Sequence, residues 1–266
     1  MKKTKTLLCF FLCLVLYQSP VAIGEKTADL TALLKVIDSM MVEDNAQYKL
    51  TMTVTRGKKN TEYQMTLWSK GRNFVGRTEK PIAQKGQVFL LNNHNCWIYY
   101  PSINKTVKTA QNQRLLGGDF SFTDLASINL LEDYHPEDSS FGGDEIRNLP
   151  FADQELVELA QEGEIIECLA KAGRQVTYPK VRVLINSSRD PVRLDFFTIS
   201  GQLLGILLYK DYGELGGKVK PLTMVMRTSL NVDNYTTITY QAAQYDLEIP
   251  PIYFTEAYMR NLSIGR

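Results

Sequence analysis

Tyr48-Lys49-Leu50-Thr51-Met52-Thr53-Val54-Thr55 decides the fold. Apolar Tyr48, Leu50, Met52 and Val54 alternate with polar Lys49, Thr51, Thr53 and Thr55, and a period of two gives a strand one face of which is apolar and the other polar. Arg56-Gly57-Lys58-Lys59-Asn60 is a polar turn, after which Tyr63, Met65 and Leu67 alternate with Gln64, Thr66 and Trp68. Two alternating runs around such a turn predict a hairpin and therefore an antiparallel sheet.

The pattern repeats outward from this hairpin. Asn73 to Thr78, Gln87 to Leu91, Cys96 to Tyr100 and Lys105 to Thr109 are short strand-like runs separated by Pro81, Gly86, Asn92-Asn93 and Pro101-Ser102. The second half resumes it in Glu164 to Lys171, Lys180 to Asn186, Pro191 to Ile199, Gln202 to Tyr209, Leu222 to Ser229 and Thr236 to Tyr240. Many short strands with regular turn signals predict an antiparallel sheet or barrel, an α+β protein that is mainly β. Ahead of the first strand, Leu30, Leu33, Leu34, Ile37 and Met41 recur at steps of three and four, which predicts one amphipathic helix over Ala28 to Val42. Leu130 to Gln154 is acidic and rich in loop residues; it reads as an excursion over one sheet, because two separate halves would each leave strand edges uncovered.

Of 266 residues, 44% are hydrophobic and 22% charged, which excludes collagen-like, low-complexity and broadly disordered classes. Lys2, Lys3 and Lys5 account for the formal charge of +1; beyond residue 24 the acids slightly outnumber the bases. Without a basic stripe the chain is no candidate for nucleic acid, whose binding needs several phosphates neutralised. The same lysines precede the apolar run Leu7 to Tyr17, then Ser19-Pro20, with Ala22 and Gly24 three and one residues before Glu25. That order predicts a secretory signal peptide cut after Gly24 and a mature chain, residues 25–266, that works outside the cytoplasm. Cys9 and Cys13 follow bulky residues where a lipidation box has a small one, and Cys96 and Cys168 read as buried apolar side chains, with a bridge between them left open.

The chemistry-bearing motifs are missing. There is no Gly-x-Ser-x-Gly elbow, His-Glu-x-x-His, phosphate loop or paired Cys-x-x-Cys, and His94 and His135 sit in loops without ligand spacing. No cofactor, metal or catalytic group is expected, and the chain reads as a binding protein rather than an enzyme. Asp119 and Asp124 are better placed for structure than for acid-base work. Gly117-Gly118 allows a tight turn, and Ser121-Phe122-Thr123-Asp124 has capping-box spacing that opens a short helix through Ile128. The sequons at Asn104, Asn186, Asn234 and Asn261 carry no meaning in a bacterial envelope. More telling are Met52, Met65, Met224 and Met226 on strands that also carry Tyr63, Trp68, Trp97, Tyr99, Phe196 and Phe197. Met adapts to irregular shapes and aromatic rings give broad apolar walls, so a curled sheet with such a face is either an ordinary packed core or a pocket for a hydrophobic ligand.

Trp97-Ile98-Tyr99-Tyr100-Pro101-Ser102, followed by Leu116-Gly117-Gly118-Asp119-Phe120-Ser121-Phe122-Thr123-Asp124-Leu125, resembles the signature of the LolA-like outer-membrane lipoprotein-sorting proteins of bacteria. The likeness runs on through Tyr178-Pro179-Lys180-Val181, Asp190-Pro191, Lys210-Asp211-Tyr212, Pro221 and Ile249-Pro250 to Phe254-Thr255, nearly all of the chain beyond residue 24. It implies an unclosed, strongly curved antiparallel β-barrel with a helical lid, whose apolar interior takes the acyl chains of lipoproteins or lipids and passes them between envelope components. Tyr100, Pro101, Gly117, Gly118, Asp119, Phe120 and Asp124 would then be structural residues of the family signature. Leu50, Met52, Val54, Tyr63, Met65, Leu67, Trp97, Tyr99 and Phe196 would be the lining of the lipid site. The chain is longer than the sorting chaperone and no local match marks that protein's functional arginine. The longer branch it looks like is associated with exporters of the resistance-nodulation-division type, which would make such an exporter a partner. The competing reading is an envelope sensor or interaction protein that uses the same half-barrel to bind a membrane regulator.

Overall fold

The computed structural model describes residues 20–41, 43–126, 128–141, 146–159, 162–228 and 231–265. The decisive hairpin forms as its pattern requires. Strand β1 (Ala46–Arg56) pairs with β2 (Lys59–Lys70) so that Tyr48, Leu50 and Met52 oppose Leu67, Met65 and Tyr63. Gly57 turns the chain at φ +59°, a backbone region that suits glycine. Next come β3 (Asn73–Lys80), β4 (Val88–Asn92), β5 (Asn95–Tyr100) and β6 (Lys105–Thr109) as an antiparallel meander. The second half supplies β7 (Tyr134–Phe141), β8 (Glu164–Ala170), β9 (Lys180–Ile185), β10 (Pro191–Phe197), β11 (Leu203–Leu215), β12 (Lys218–Arg227) and β13 (Asn234–Gln244).

All thirteen strands form one sheet in the order β6-β5-β4-β3-β2-β1-β13-β12-β11-β10-β9-β8-β7. The halves join where β13 pairs antiparallel with β1, and β6 and β7 remain the two edges, so the curved sheet does not close. Register carries a continuous apolar row across the centre: Tyr63 opposes Met52, Met52 opposes Ile238, Ile238 opposes Met224 and Met224 opposes Tyr209. Phe89 of β4 and Ile166 of β8, far apart in strand order, belong to the same buried cluster as that row, which is possible only if the sheet curls back over itself.

β7 departs from the sequence expectation. Residues 130–154 are not a bare excursion: they contain helix α3 (Leu130–Asp133), strand β7 and the start of helix α4 (Gln154–Leu159). Pro136 hid the strand, since proline lacks the N–H a ladder needs; here it sits on an edge strand at a break in register between Pro136 and Asp138, where proline is tolerated. Helix α1 is longer than its apolar stripe, Pro20–Met41, with Pro20 in the first-turn position that proline fits. The expected signal segment falls outside the described residues up to position 19. No helix among the described residues is long and apolar enough to cross a membrane.

The inner face of the sheet is covered by α1 together with Leu115, Phe120 and Phe122. Leu30, Leu33, Leu34 and Ile37, all buried, join Leu50, Met52, Val54, Tyr63, Met65, Leu67, Met224, Met226 and Phe196 in one cluster. Two smaller clusters cover the outer face. Beneath the carboxy-terminal segment, Ile249, Phe254, Met259 and Leu262 pack on Val75, Val88, Leu90 and Tyr99, the last two of the former set lying in or beside helix α5 (Met259–Ser263). Across the other half, Ile146 and Leu156 pack on Ile165, Leu184, Val192, Ile206 and Leu208.

Candidate functional site

Alternation fixes which predicted lining residues share a face. Leu50, Met52, Val54, Tyr63, Met65, Leu67 and Phe196 are brought together in the inner cluster, as are all four strand methionines. Trp97 and Tyr99 are not. On β5 the inward phase belongs to Cys96, Ile98 and Tyr100, so Trp97 and Tyr99 face outward into the cluster under the carboxy-terminal segment. Trp68 shares that outer cluster, and Phe197 lies beneath the cations of Lys180 and Arg182. Both cysteines are buried free thiols in the inner cluster, each pushed up to about 12 by burial.

The signature segment Leu116 to Leu125, with Leu115 before it, closes one side of the interior. Gly118 approaches the sheet so closely that a Cβ there would lie 2.4 Å from Met52 Cε and 3.2 Å from the Leu115 carbonyl oxygen. Asp119 pins this segment: its carboxylate accepts hydrogen bonds from Arg56 at 2.9 Å and from the hydroxyls of Thr228 and Thr236, each at 2.7 Å. The capping box forms as its spacing requires, with Asp124 accepting from the Ser121 N–H at 2.7 Å at the head of helix α2 (Phe122–Leu125). Asp124 also accepts from the Tyr178 hydroxyl at 2.8 Å, and the Tyr178 ring stacks on Phe196 at 4.2 Å. The loop and the far half of the sheet are thereby tied together over the interior.

Helix α1 lies in this interior like a plug held at its carboxy-terminal end. Asp38 accepts from the N–H groups of Leu130 and Leu131 at 3.0 and 2.7 Å, at the start of α3. Burial raises the Asp38 carboxyl despite those two hydrogen bonds. At the end of the helix, Lys220 donates to the Met40 carbonyl at 2.5 Å and pairs with Glu43, which also meets Lys218 at 2.6 Å. Burial pushes the Glu43 carboxyl up, but the hydrogen bonds from Lys218 and Lys220 carry it below its ordinary value. Burial lowers Lys220 against the opposing pull of Glu43. Sequence reasoning missed these latches, although Lys220 had a signal: it shares the inward phase of Met224 and Met226, where a lysine needs a partner.

Beside the plug opens a cavity of about 490 Å³. It lies between the start of β3, the β4–β5 turn, the α2–α3 segment and the loop 173–178. Its walls are mixed. Leu91, Ile128 and Val176 are apolar, while Arg72 and Arg174 face Glu132 and Asp133, with Arg174 2.9 Å from Glu132 and Arg72 3.4 Å from Asp133. His94 lines it too, held by Gln111 through its carbonyl oxygen at 3.0 Å. A much smaller space of about 40 Å³ lies under the end of α1 among Met40, Met41, Tyr48, Tyr209, Met224 and Tyr240. Among the described residues no group of three or more His, Cys, Asp or Glu side chains could hold a metal ion.

An unclosed antiparallel half-barrel with a helix across its apolar concavity is the architecture that the sequence resemblance implied. A family model described as that of an uncharacterized protein matches residues 70–261. The chain belongs to that family. Its fold is that of the LolA superfamily. A LolA superfamily protein from Nitrosomonas europaea is 22% identical, with a TM-score of 0.67 over 85% of this chain and 97% of that one. A DUF1329 family protein from Desulfovibrio piger is 15% identical, with a TM-score of 0.71 over 88% and 98% of the two chains. A domain from Vibrio parahaemolyticus named for outer membrane lipoprotein sorting is 15% identical, with a TM-score of 0.69 over 89% and 99%. No curated protein matches the sequence.

Proposed function

We propose that this protein is a non-enzymatic periplasmic carrier that takes acyl chains of lipids or lipoproteins into the concavity now filled by α1. Residues 25–266 act as one lipid-binding unit after removal of the signal segment. The observation that carries the reading is the plug itself: a methionine-rich apolar face of an unclosed sheet is covered by a helix, together with the signature segment, and that helix is held through polar contacts at its carboxy-terminal end. Magnitudes favour exchange. Burying four Leu or Ile side chains of α1 contributes roughly 6–12 kcal/mol, and burying about fifteen methylenes of an acyl chain about 12 kcal/mol, so a lipid can replace the helix at little net cost. The mixed cavity beside the plug suits the polar end of such an amphiphile, because its paired charges and amides border the apolar Leu91 and Val176.

No feature of the described residues singles out an exporter, so the proposal names the cargo and not the docking protein. The test is detergent-free purification from a bacterial envelope, native mass spectrometry, and identification of any extracted lipid. Stoichiometric lipid or acylated peptide is the expected result. A bare mass that also refuses added lipid would overturn the carrier reading and leave the sensor or interaction protein in its place.

A further inference from the structure

Three segments meet at Gly86: the turn 81–86 between β3 and β4, the short helical turn Pro101–Ile103 between β5 and β6, and the end of α5. A Cβ on Gly86 would lie 2.9 Å from the Ser263 carbonyl oxygen and 3.7 Å from Pro101 Cγ, and its φ of +80° also calls for glycine. From this junction three isoleucines project into solvent: Ile82 is 84% exposed, Ile103 65% and Ile264 62%. One exposed isoleucine is ordinary, but three on adjoining segments make an apolar patch that asks for a partner.

The surrounding charge says which. Lys80, Lys85, Lys105 and Arg260 are all exposed on these segments. Residues 80–86, 101–105 and 260–265 contain no Asp or Glu. The nearby Glu79 is engaged by Arg77 at 2.6 Å, and none of the four cations has an ion-pair partner among the described residues. Apolar tips ringed by unpaired cations match the boundary of an anionic bilayer, where side chains enter the headgroup layer while Lys and Arg meet lipid phosphates.

We propose that this surface docks the protein on an anionic lipid bilayer. Along β3, β4 and β5 it lies at the opposite strand ends from Asn73 and His94, which line the large cavity, so docking leaves that cavity uncovered. The proposal does not depend on the carrier reading: a protein whose interior takes no acyl chain would still dock.

The test is sedimentation of the full chain, as isolated from an expressing bacterium, with vesicles of phosphatidylcholine alone or mixed with an equal part of phosphatidylglycerol. Binding is expected on the anionic vesicles and is expected to weaken as salt rises. Combined Ile82→Ser, Ile103→Ser and Ile264→Ser should lower the affinity about tenfold or more, as should combined Lys80→Gln, Lys85→Gln, Lys105→Gln and Arg260→Gln. The amino-terminal apolar run is common to all variants, so the difference between them reads the patch. All seven side chains are exposed, and an unchanged melting temperature checks the fold; the single Ile82→Ser variant serves if a combination fails to fold. Uptake of a soluble dye by the interior, measured on the same variants, should not change, which separates docking from cargo binding. Equal binding to both vesicle types, binding to neither, or variants that bind like the parent would overturn the proposal. So would a concentration-dependent dimer lost in the isoleucine variants, which would give the patch to a second copy of the chain.

Discussion

Asp119 and Asp124 show what a single residue can reveal in sequence and what it cannot. The capping role of Asp124 was legible because Ser121 lies three positions away, and its hydrogen bond to the Ser121 N–H is a local consequence of that spacing. Its contact with the Tyr178 hydroxyl was not legible, since only the curl of the sheet brings that ring over. The same holds for Asp119, whose partners Arg56, Thr228 and Thr236 come from β1 and from either side of the β12–β13 turn. Asp119→Ala leaves the buried Thr236 hydroxyl, the partly buried Thr228 hydroxyl and the partly exposed Arg56 guanidinium without their acceptor, and should cost about 2–3 kcal/mol in urea unfolding. A second prediction concerns Gly118. Its missing Cβ is forced by the Met52 methyl and the Leu115 carbonyl, and only the methionine can move aside. Gly118→Ala should therefore destabilise by about 1–2 kcal/mol, read from the denaturation midpoint.

Among elements, α1 is the one whose state matters. Its apolar stripe was legible from Leu30 to Met41, but periodicity gives a face and not the surface that receives it, so a helix over the half-barrel was implied only by the family resemblance. The same limit explains Trp97 and Tyr99: alternation in β5 was plain, yet nothing local says which phase faces inward. The latches at the carboxy-terminal end of the plug give a prediction with a sign. Lys218 and Lys220 hold the Glu43 carboxyl below its ordinary 4.5 despite burial, so its contribution to the closed helix is full above that pH and is lost as pH falls through the lowered value. Uptake of a neutral naphthylamine dye should accordingly rise as the solution is acidified below about 4.5. Glu43→Gln should remove most of that step and start from a higher uptake at neutral pH. A steep acid step that survives the substitution would assign the opening to a carboxylate outside the latches, because Asp38, raised by burial, favours the closed helix at lower pH and acts in the opposite direction.

At the scale of the molecule, an antiparallel mainly β architecture could be read from strand spacing and turn residues, and its unclosed form from the family resemblance. The pairing of β1 with β13, which turns two meanders into one thirteen-stranded sheet, was inferable only from the need to cover edges. Edge strand β7 escaped because Pro136 spoils its pattern. The proposed carrier has lipid and α1 compete for one concavity. Hydrogen exchange across residues 30–41, with and without a saturating long-chain amphiphile, tests it most directly. Loss of protection in that helix as the lipid is taken up, with β1 and β13 still protected, is the predicted result; stoichiometric uptake with α1 as protected as before would contradict it.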